Sequence, residues 1–189
     1  MRPMESASDT RGFALFDSAL GVCGIAWGPQ GLTGVQLPEA DAAATRLRMR
    51  ARFVQAPECT PPPDVQRAIE SIAALLRGEP KEPRDLSDIE LDWRGVPPFN
   101  RRVLELARTI SPGQTLTYGD IASRLGESSA ARAVGQALGH NPFAPVVPCH
   151  RVLAAGSRSG GFSANGGVST KLRMLLTERA AFGAPGLFD

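Results

Sequence analysis

Cysteine and histidine are scarce in this sequence. There are three Cys (Cys23, Cys59, Cys149) and two His (His140, His150) in 189 residues. Three scattered cysteines cannot build a disulfide framework. A four-ligand zinc site would need nearly every Cys and His plus a carboxylate. Neither a disulfide scaffold nor a structural metal is therefore expected. No cofactor is expected either, and a reducing, cytoplasmic compartment fits this cysteine usage. No apolar run approaches the roughly 18 to 20 residues that cross a bilayer, so no membrane partner is expected. Met1 to Thr10 is polar, with no hydrophobic stretch beside its start, so it does not read as a signal peptide. Residues 1–12 read as a disordered lead-in. Internal repeats and low-complexity tracts are also lacking.

What is present fits a soluble globular chain, with 42% hydrophobic and 21% charged residues. The length suffices for one ordinary domain or two small ones. The net charge of +2 hides an asymmetry. Residues 1–99 carry eleven Lys/Arg against fourteen Asp/Glu, whereas residues 100–181 carry ten against four. The basic half is either a polyanion-binding surface or a solvated arginine-rich face.

Phe13 to Leu37 contains short apolar stretches punctuated by Gly and Pro, which read as strands of an antiparallel meander. Two helices follow. The first is Ala40 to Arg52. The second is Asp64 to Arg77, where Val65, Ile69, Ile72 and Leu76 recur at helical spacing between an Asp64 N-cap and a Gly78 stop. Segment 79–99 is rich in proline and charge and reads as a linker. Residues 99–110 form a further helix with Val103, Leu104, Ala107 and Ile110 inward. The expected organisation is a lead-in (1–12), an α+β unit (13–95) and a mainly helical unit (96–182).

In the second unit, a short helix from Thr117 to Gly126 and another from Ser129 to Leu138, joined by a tight turn, make a helix-turn-helix candidate. Most helix pairs joined this way are packing units only. The second helix is slim, built from Ala130, Ala131, Ala133, Gly135 and Ala137, with Arg132 its one long charged side chain. Close packing would explain that profile. So would entry into a minor groove, with Arg132 filling the gap left by an extruded nucleotide.

The strongest chemical feature is Asn141-Pro142-Phe143-Ala144-Pro145-Val146-Val147-Pro148-Cys149-His150-Arg151-Val152. Neighbouring side chains diverge in regular structure, but the prolines point to a stiff turn in which Cys149 and His150 can cooperate. A nucleophilic cysteine needs a nearby base or cation to supply its thiolate. The competing reading is a buried packing cysteine, the commoner fate of a lone thiol. Cys23, in an apparent strand, and Cys59, in a proline-rich connection, are read that way. His140 is read as a surface or capping residue, and Trp27 and Trp93 as core.

PCHRV at 148–152, preceded by TYGDIA and RAVGQALGHNP and followed by Gly-Gly, Lys171 and Leu175-Leu176-Thr177-Glu178, resembles the O6-alkylguanine-DNA alkyltransferase family over about residues 97–180. The resemblance implies an α+β fold: an N-terminal RNase H-like antiparallel sheet with helices, then a mainly helical domain carrying a helix-turn-helix. It implies a monomer that acts on duplex DNA carrying O6-alkylguanine (O4-alkylthymine being a second candidate lesion) and is consumed by the reaction. Cys149 would accept the alkyl group. His150 would act as base through a water, oriented by Glu178, while Asn141 braces the turn. Tyr118 would donate its hydroxyl to the flipped guanine and crowd the backbone phosphate, and Arg132 would be the intercalating finger. Carbonyls of Cys149 and Val152 would read the exocyclic amine, the Ser163 amide would face O6, and Phe162 would wall the pocket. Ala131, Gly135 and Arg151 complete the expected DNA contacts, and no metal ligand is expected. The chain departs from the family pattern at Phe162, where a Tyr is common, and in two extra residues before Lys171. A binding-only relative that flags lesions is the alternative, but its acceptor position holds a residue other than Cys. A helix-turn-helix transcription factor would need a polar recognition helix, and a cysteine hydrolase would have to release its product.

Overall fold

Two tight reversals shape the N-terminal meander, because only two residues separate each pair of strands. β1 (Gly12–Ser18) pairs antiparallel with β2 (Gly21–Gly28), and β2 with β3 (Gly31–Gln36). The computed structural model describes residues 11–78, 86–157 and 159–180. Most of the expected lead-in, residues 1–10, lies outside the described residues. Gly12 already belongs to β1.

Helices cover both faces of this sheet, so its strands carry apolar residues on both sides. Phe13 and Ala26 face α1 (Ala42–Arg52) through Met49, whereas Ala14, Phe16, Cys23, Ile25, Trp27 and Val35 join the core beneath α2 (Pro63–Arg77). Gly24 and Gly34 lie on the α1 side for a steric reason. A Cβ at either would stand 2.5 Å from an atom of Met49 or Phe53 respectively, so their bareness lets α1 lie close.

α1 begins at Ala42, with the Asp41 side chain accepting from the Ala44 N–H. α2 differs from the expectation at its start. Pro62, not Asp64, is the N-cap, and Pro63 is the first helical residue, where its preset φ and missing N–H cost nothing. Asp64 sits in the first turn, and Gly78 closes the helix in the left-handed region at φ 65°. α3 (Pro98–Arg108) also opens on a proline and ends two residues short of the expected 110, although Ile110 is still buried.

Residues 79–85 of the expected linker lie outside the described residues. The remainder is strapped to the fold. Leu86 and Leu91 are buried, Leu32 exchanges backbone hydrogen bonds with Glu90 and Asp92 (2.9 and 2.8 Å), and Trp93 meets Phe143 edge-on at 5.2 Å. The Val35 N–H also donates to the Pro142 carbonyl at 2.8 Å, tying β3 to the segment before Cys149. One apolar cluster runs from Ala14 to Met174, so the two halves of the chain share a core.

The second half contains α4 (Tyr118–Arg124), α5 (Ala131–Gly139) and α6 (Gly167–Thr177). Thr117 and Asp120 form a reciprocal capping box at the start of α4. Val134, Ala137 and Leu138 pack α5 inward, whereas Arg132 is exposed. Of the small residues that make α5 slim, Ala137 therefore serves packing. A two-residue parallel ladder of β4 (Leu116–Thr117) with β5 (Val152–Leu153) ties the start of α4 to the chain just after Cys149. The architecture is α+β, with a three-stranded antiparallel sheet and a helix-turn-helix pair in the second half. Among the described residues, no helix is long and apolar enough to cross a membrane.

Candidate active site around Cys149

Proline sets the local geometry at the cysteine. Pro148, at φ −83° and ψ 66°, is the centre of an inverse γ-turn in which the Cys149 N–H donates to the Val147 carbonyl at 2.9 Å. Cys149–Arg151 then forms a single 3-10 turn that buries all three side chains. Successive residues of such a turn point about 120° apart. The sulfur, the imidazole and the guanidinium therefore enter the protein in different directions.

Asn141 ties the approach together. Its amide donates to the Val147 carbonyl at 2.8 Å, and its Oδ1 accepts from the Phe143 N–H at 2.9 Å. Burial pushes the Cys149 thiol up. The Asn141 amide, the Lys171 charge and the N–H groups of Cys149 and His150 pull it back down. These are the donors that would stabilise a thiolate.

Behind the cysteine lies a buried charge cluster. His150 Nε2 meets Glu178 Oε1 at 2.8 Å, and Arg151 places Nε and Nη2 on the two Glu178 oxygens at 2.9 and 2.8 Å. Arg151 Nη1 donates to the Ile110 carbonyl. Burial works to raise the Glu178 carboxyl, but the His150 and Arg151 hydrogen bonds and charges outweigh it and hold the group at about 2. Burial lowers His150 from the ordinary histidine range, against the opposing effect of Glu178. A neutral imidazole that donates Nε2–H to a carboxylate keeps its lone pair on Nδ1. That Nδ1 is buried and has no hydrogen-bond partner among the described residues.

Arg151 is expected among the DNA contacts. The structure corrects this, because the side chain is 7% exposed and spends its donors on Glu178 and Ile110. Lys171 was missed as a site residue. Its amine is fully buried, donates to the carbonyls of Val152 (2.6 Å) and Gly161 (3.3 Å), and lies over the Tyr118 ring at 5.9 Å. Desolvation lowers it to about 8, against the opposing effect of Cys149. The signal was available in the spacing. Lys171 and Glu178 are seven residues apart on α6 and its cap, which places them two turns apart on one face.

The remaining expected site residues are distributed around this centre. Tyr118, the first residue of α4, is half-buried beside Gly135, at which a Cβ would stand 3.9 Å from the ring. Ala131 begins α5 and is partly exposed. Arg132 follows it with no hydrogen bond or ion pair among the described residues. The Val152 carbonyl already accepts from Lys171, so a ligand amine would share it. Phe162 is half-buried against the core, and Ser163 is exposed. The loop holding them is pinned at one end by Gly161 on Lys171 and at the other by the Thr170 hydroxyl on the Asn165 carbonyl (2.7 Å). His140 is exposed, with Nδ1 against the Gln136 carbonyl. Cys23 is buried and pushed up to about 11 by desolvation, while Cys59 is exposed. Among the described residues, no group of three His, Cys, Asp or Glu is placed to hold a metal.

Residues 98–180 match the model of the DNA-binding domain of 6-O-methylguanine DNA methyltransferase. The chain is 47% identical over 112 residues to the methylated-DNA–protein-cysteine methyltransferase of Mycolicibacterium paratuberculosis, spanning 59% of this chain and 64% of that protein. It is 35% identical to the protein of that name from Methanothermobacter thermautotrophicus, over 82% of this chain and 78% of the relative. The crystal structure of Mycobacterium tuberculosis OGT in complex with DNA superposes with a TM-score of 0.71 at 34% identity, covering 89% of this chain and 92% of that one. The chain belongs to the methylated-DNA–protein-cysteine methyltransferase family.

Proposed function

We propose that this protein repairs DNA by direct reversal, moving the alkyl group of O6-alkylguanine in duplex DNA onto Cys149, once per molecule. The observation that carries the reading is the surroundings of the sulfur. A buried thiol has an amide, a lysine and two backbone N–H groups to stabilise its anion, and a neutral imidazole with a free buried lone pair belongs to the next residue. His150, oriented by Glu178, takes the thiol proton through a water. The sulfur attacks the alkyl carbon, the bond from that carbon to O6 breaks, and the bonding pair leaves on the purine. Donors around the purine stabilise that charge: the Tyr118 hydroxyl, and the Ser163 amide facing O6. The product is a thioether, which nothing in the site can hydrolyse, so each molecule acts once.

Residues 96–182 form the DNA-binding and alkyl-accepting unit, and 13–95 the supporting α+β unit. The slim face of α5, with Ala131 and Gly135, enters the minor groove. Arg132 fills the stack as the guanine rotates toward Tyr118. The reaction needs no cofactor, and the protein acts as a monomer in the reducing cytoplasm, where Cys149 stays free. The test is to mix the protein with duplex DNA bearing O6-methylguanine and follow restoration of guanine. One lesion should be repaired per molecule, with none repaired by Cys149→Ala. Repair of many lesions per molecule contradicts the proposal.

A further inference from the structure

Tyr118 is held from two directions, by its own helix and by the loop after β5. The main chain at Gly160 runs so close to the ring that a Cβ there would stand 2.6 Å from the phenol oxygen, and Gly160 adopts φ 67°. Burial and the Cys149 charge push the Tyr118 phenol up, and the main chain of the next residue, Gly161, opposes them in the sense that favours the phenolate, which is the effect of an N–H. The other side of Gly161 is engaged as well, since its carbonyl accepts from Lys171 Nζ at 3.3 Å, and that amine lies over the Tyr118 ring. The main chain at 160–161 is thus held between two side chains of the pocket, Tyr118 and Lys171.

We propose that the Gly161 N–H is a positioning donor for Tyr118: it occupies one lone pair of the phenol oxygen, leaves the O–H aimed at the flipped purine, and stabilises the oxygen as its proton departs. The inference rests on the alkyltransferase reading given above. As the sulfur–carbon bond forms and the carbon–O6 bond breaks, the electron pair enters the purine. The purine takes the Tyr118 proton. The resulting phenolate is held by the Gly161 N–H until water reprotonates it. Gly161 touches no reacting atom itself and acts through Tyr118.

Tyr118 is the only tyrosine in the chain, so ultraviolet tyrosinate titration reads it alone. Gly161→Pro removes the N–H. Gly161→Ala keeps it, and its Cβ would meet nothing within 4 Å. The proline variant should titrate about one pH unit above wild type and transfer methyl about tenfold more slowly in a single turnover. The alanine variant should titrate with wild type. In a Tyr118→Phe background, Gly161→Pro should add no further slowing, because the oxygen through which it acts is gone. The proposal is overturned if the proline variant titrates with wild type, or if the proline slows the phenylalanine protein as much as it slows wild type. Failure of wild type to take up methyl at all would remove the transferase reading, and the titration would still decide whether Gly161 sets the phenol.

Discussion

Arg151→Met separates a buried clamp from a DNA contact. Arg151 reaches both oxygens of Glu178, whose side chain is 3% exposed, and among the described residues the only other side chain on that carboxylate is His150. Glu178 lies at about 2 against an ordinary 4.5. At about 1.4 kcal/mol per pKa unit, that gap corresponds to an order of 3 kcal/mol, achieved against the opposing effect of burial. Removing one partner of a buried ion pair typically costs about 3–5 kcal/mol, because the other charge stays buried. Arg151→Met should therefore destabilise the fold by about 3 kcal/mol, lowering Tm by roughly 6–12 °C in a chain of this size. Thermal and urea unfolding at neutral pH would measure it. DNA affinity at two salt concentrations would be the companion assay, since a lost phosphate contact reduces the salt slope by about 1. An unchanged Tm together with weaker, less salt-sensitive DNA binding would refute the reasoning and return Arg151 to the interface.

Three further outcomes follow from the same geometry. The Glu178 pKa is depressed in the folded state, so its stabilisation is complete above about 4.5 and is lost as pH falls from there through about 2. Acid unfolding should steepen in that window, and Glu178→Gln should flatten it. Asn141→Ala removes ties to Val147 and Phe143 and the amide that favours the Cys149 thiolate. It should cost about 2–3 kcal/mol in urea unfolding and move the pH dependence of methyl transfer upward, because the thiolate loses a donor. Arg132→Ala should slow repair of duplex DNA by at least about tenfold while changing reaction with free O6-alkylguanine base by less than about twofold, since only the duplex must be opened. Equal losses on both substrates would remove Arg132 from the flipping step.

The helical and strand elements were legible because hydrophobic period and proline and glycine punctuation are local signals. Val65, Ile69, Ile72 and Leu76 all point into the core as their spacing implied. The N-cap of α2 was misplaced because an aspartate resembles a cap, whereas the proline run before it had already fixed the chain direction. The linker looked free because charge and proline dominate it, but the backbone bonds between Leu32 and residues 90–92 are made by main-chain groups that side-chain composition does not reveal. At the site, the proline-flanked cysteine was legible as a stiff turn. The fate of Arg151 was not. A basic residue in a basic half reads as surface, and only its three-dimensional proximity to Glu178, 27 residues away, shows that it is buried. Lys171 was obscured for the same reason, since a lysine is seldom fully buried.

The alkyl group is expected on one sulfur atom. Digesting the protein after exposure to an equimolar amount of O6-methylguanine duplex, and sequencing the peptides by tandem mass spectrometry, tests it directly. The expected result is one methyl group per protein, carried on Cys149 alone, with Cys23 and Cys59 unchanged. A Cys149 peptide that stays unmodified while the lesion disappears, or methyl found on another residue, would contradict it.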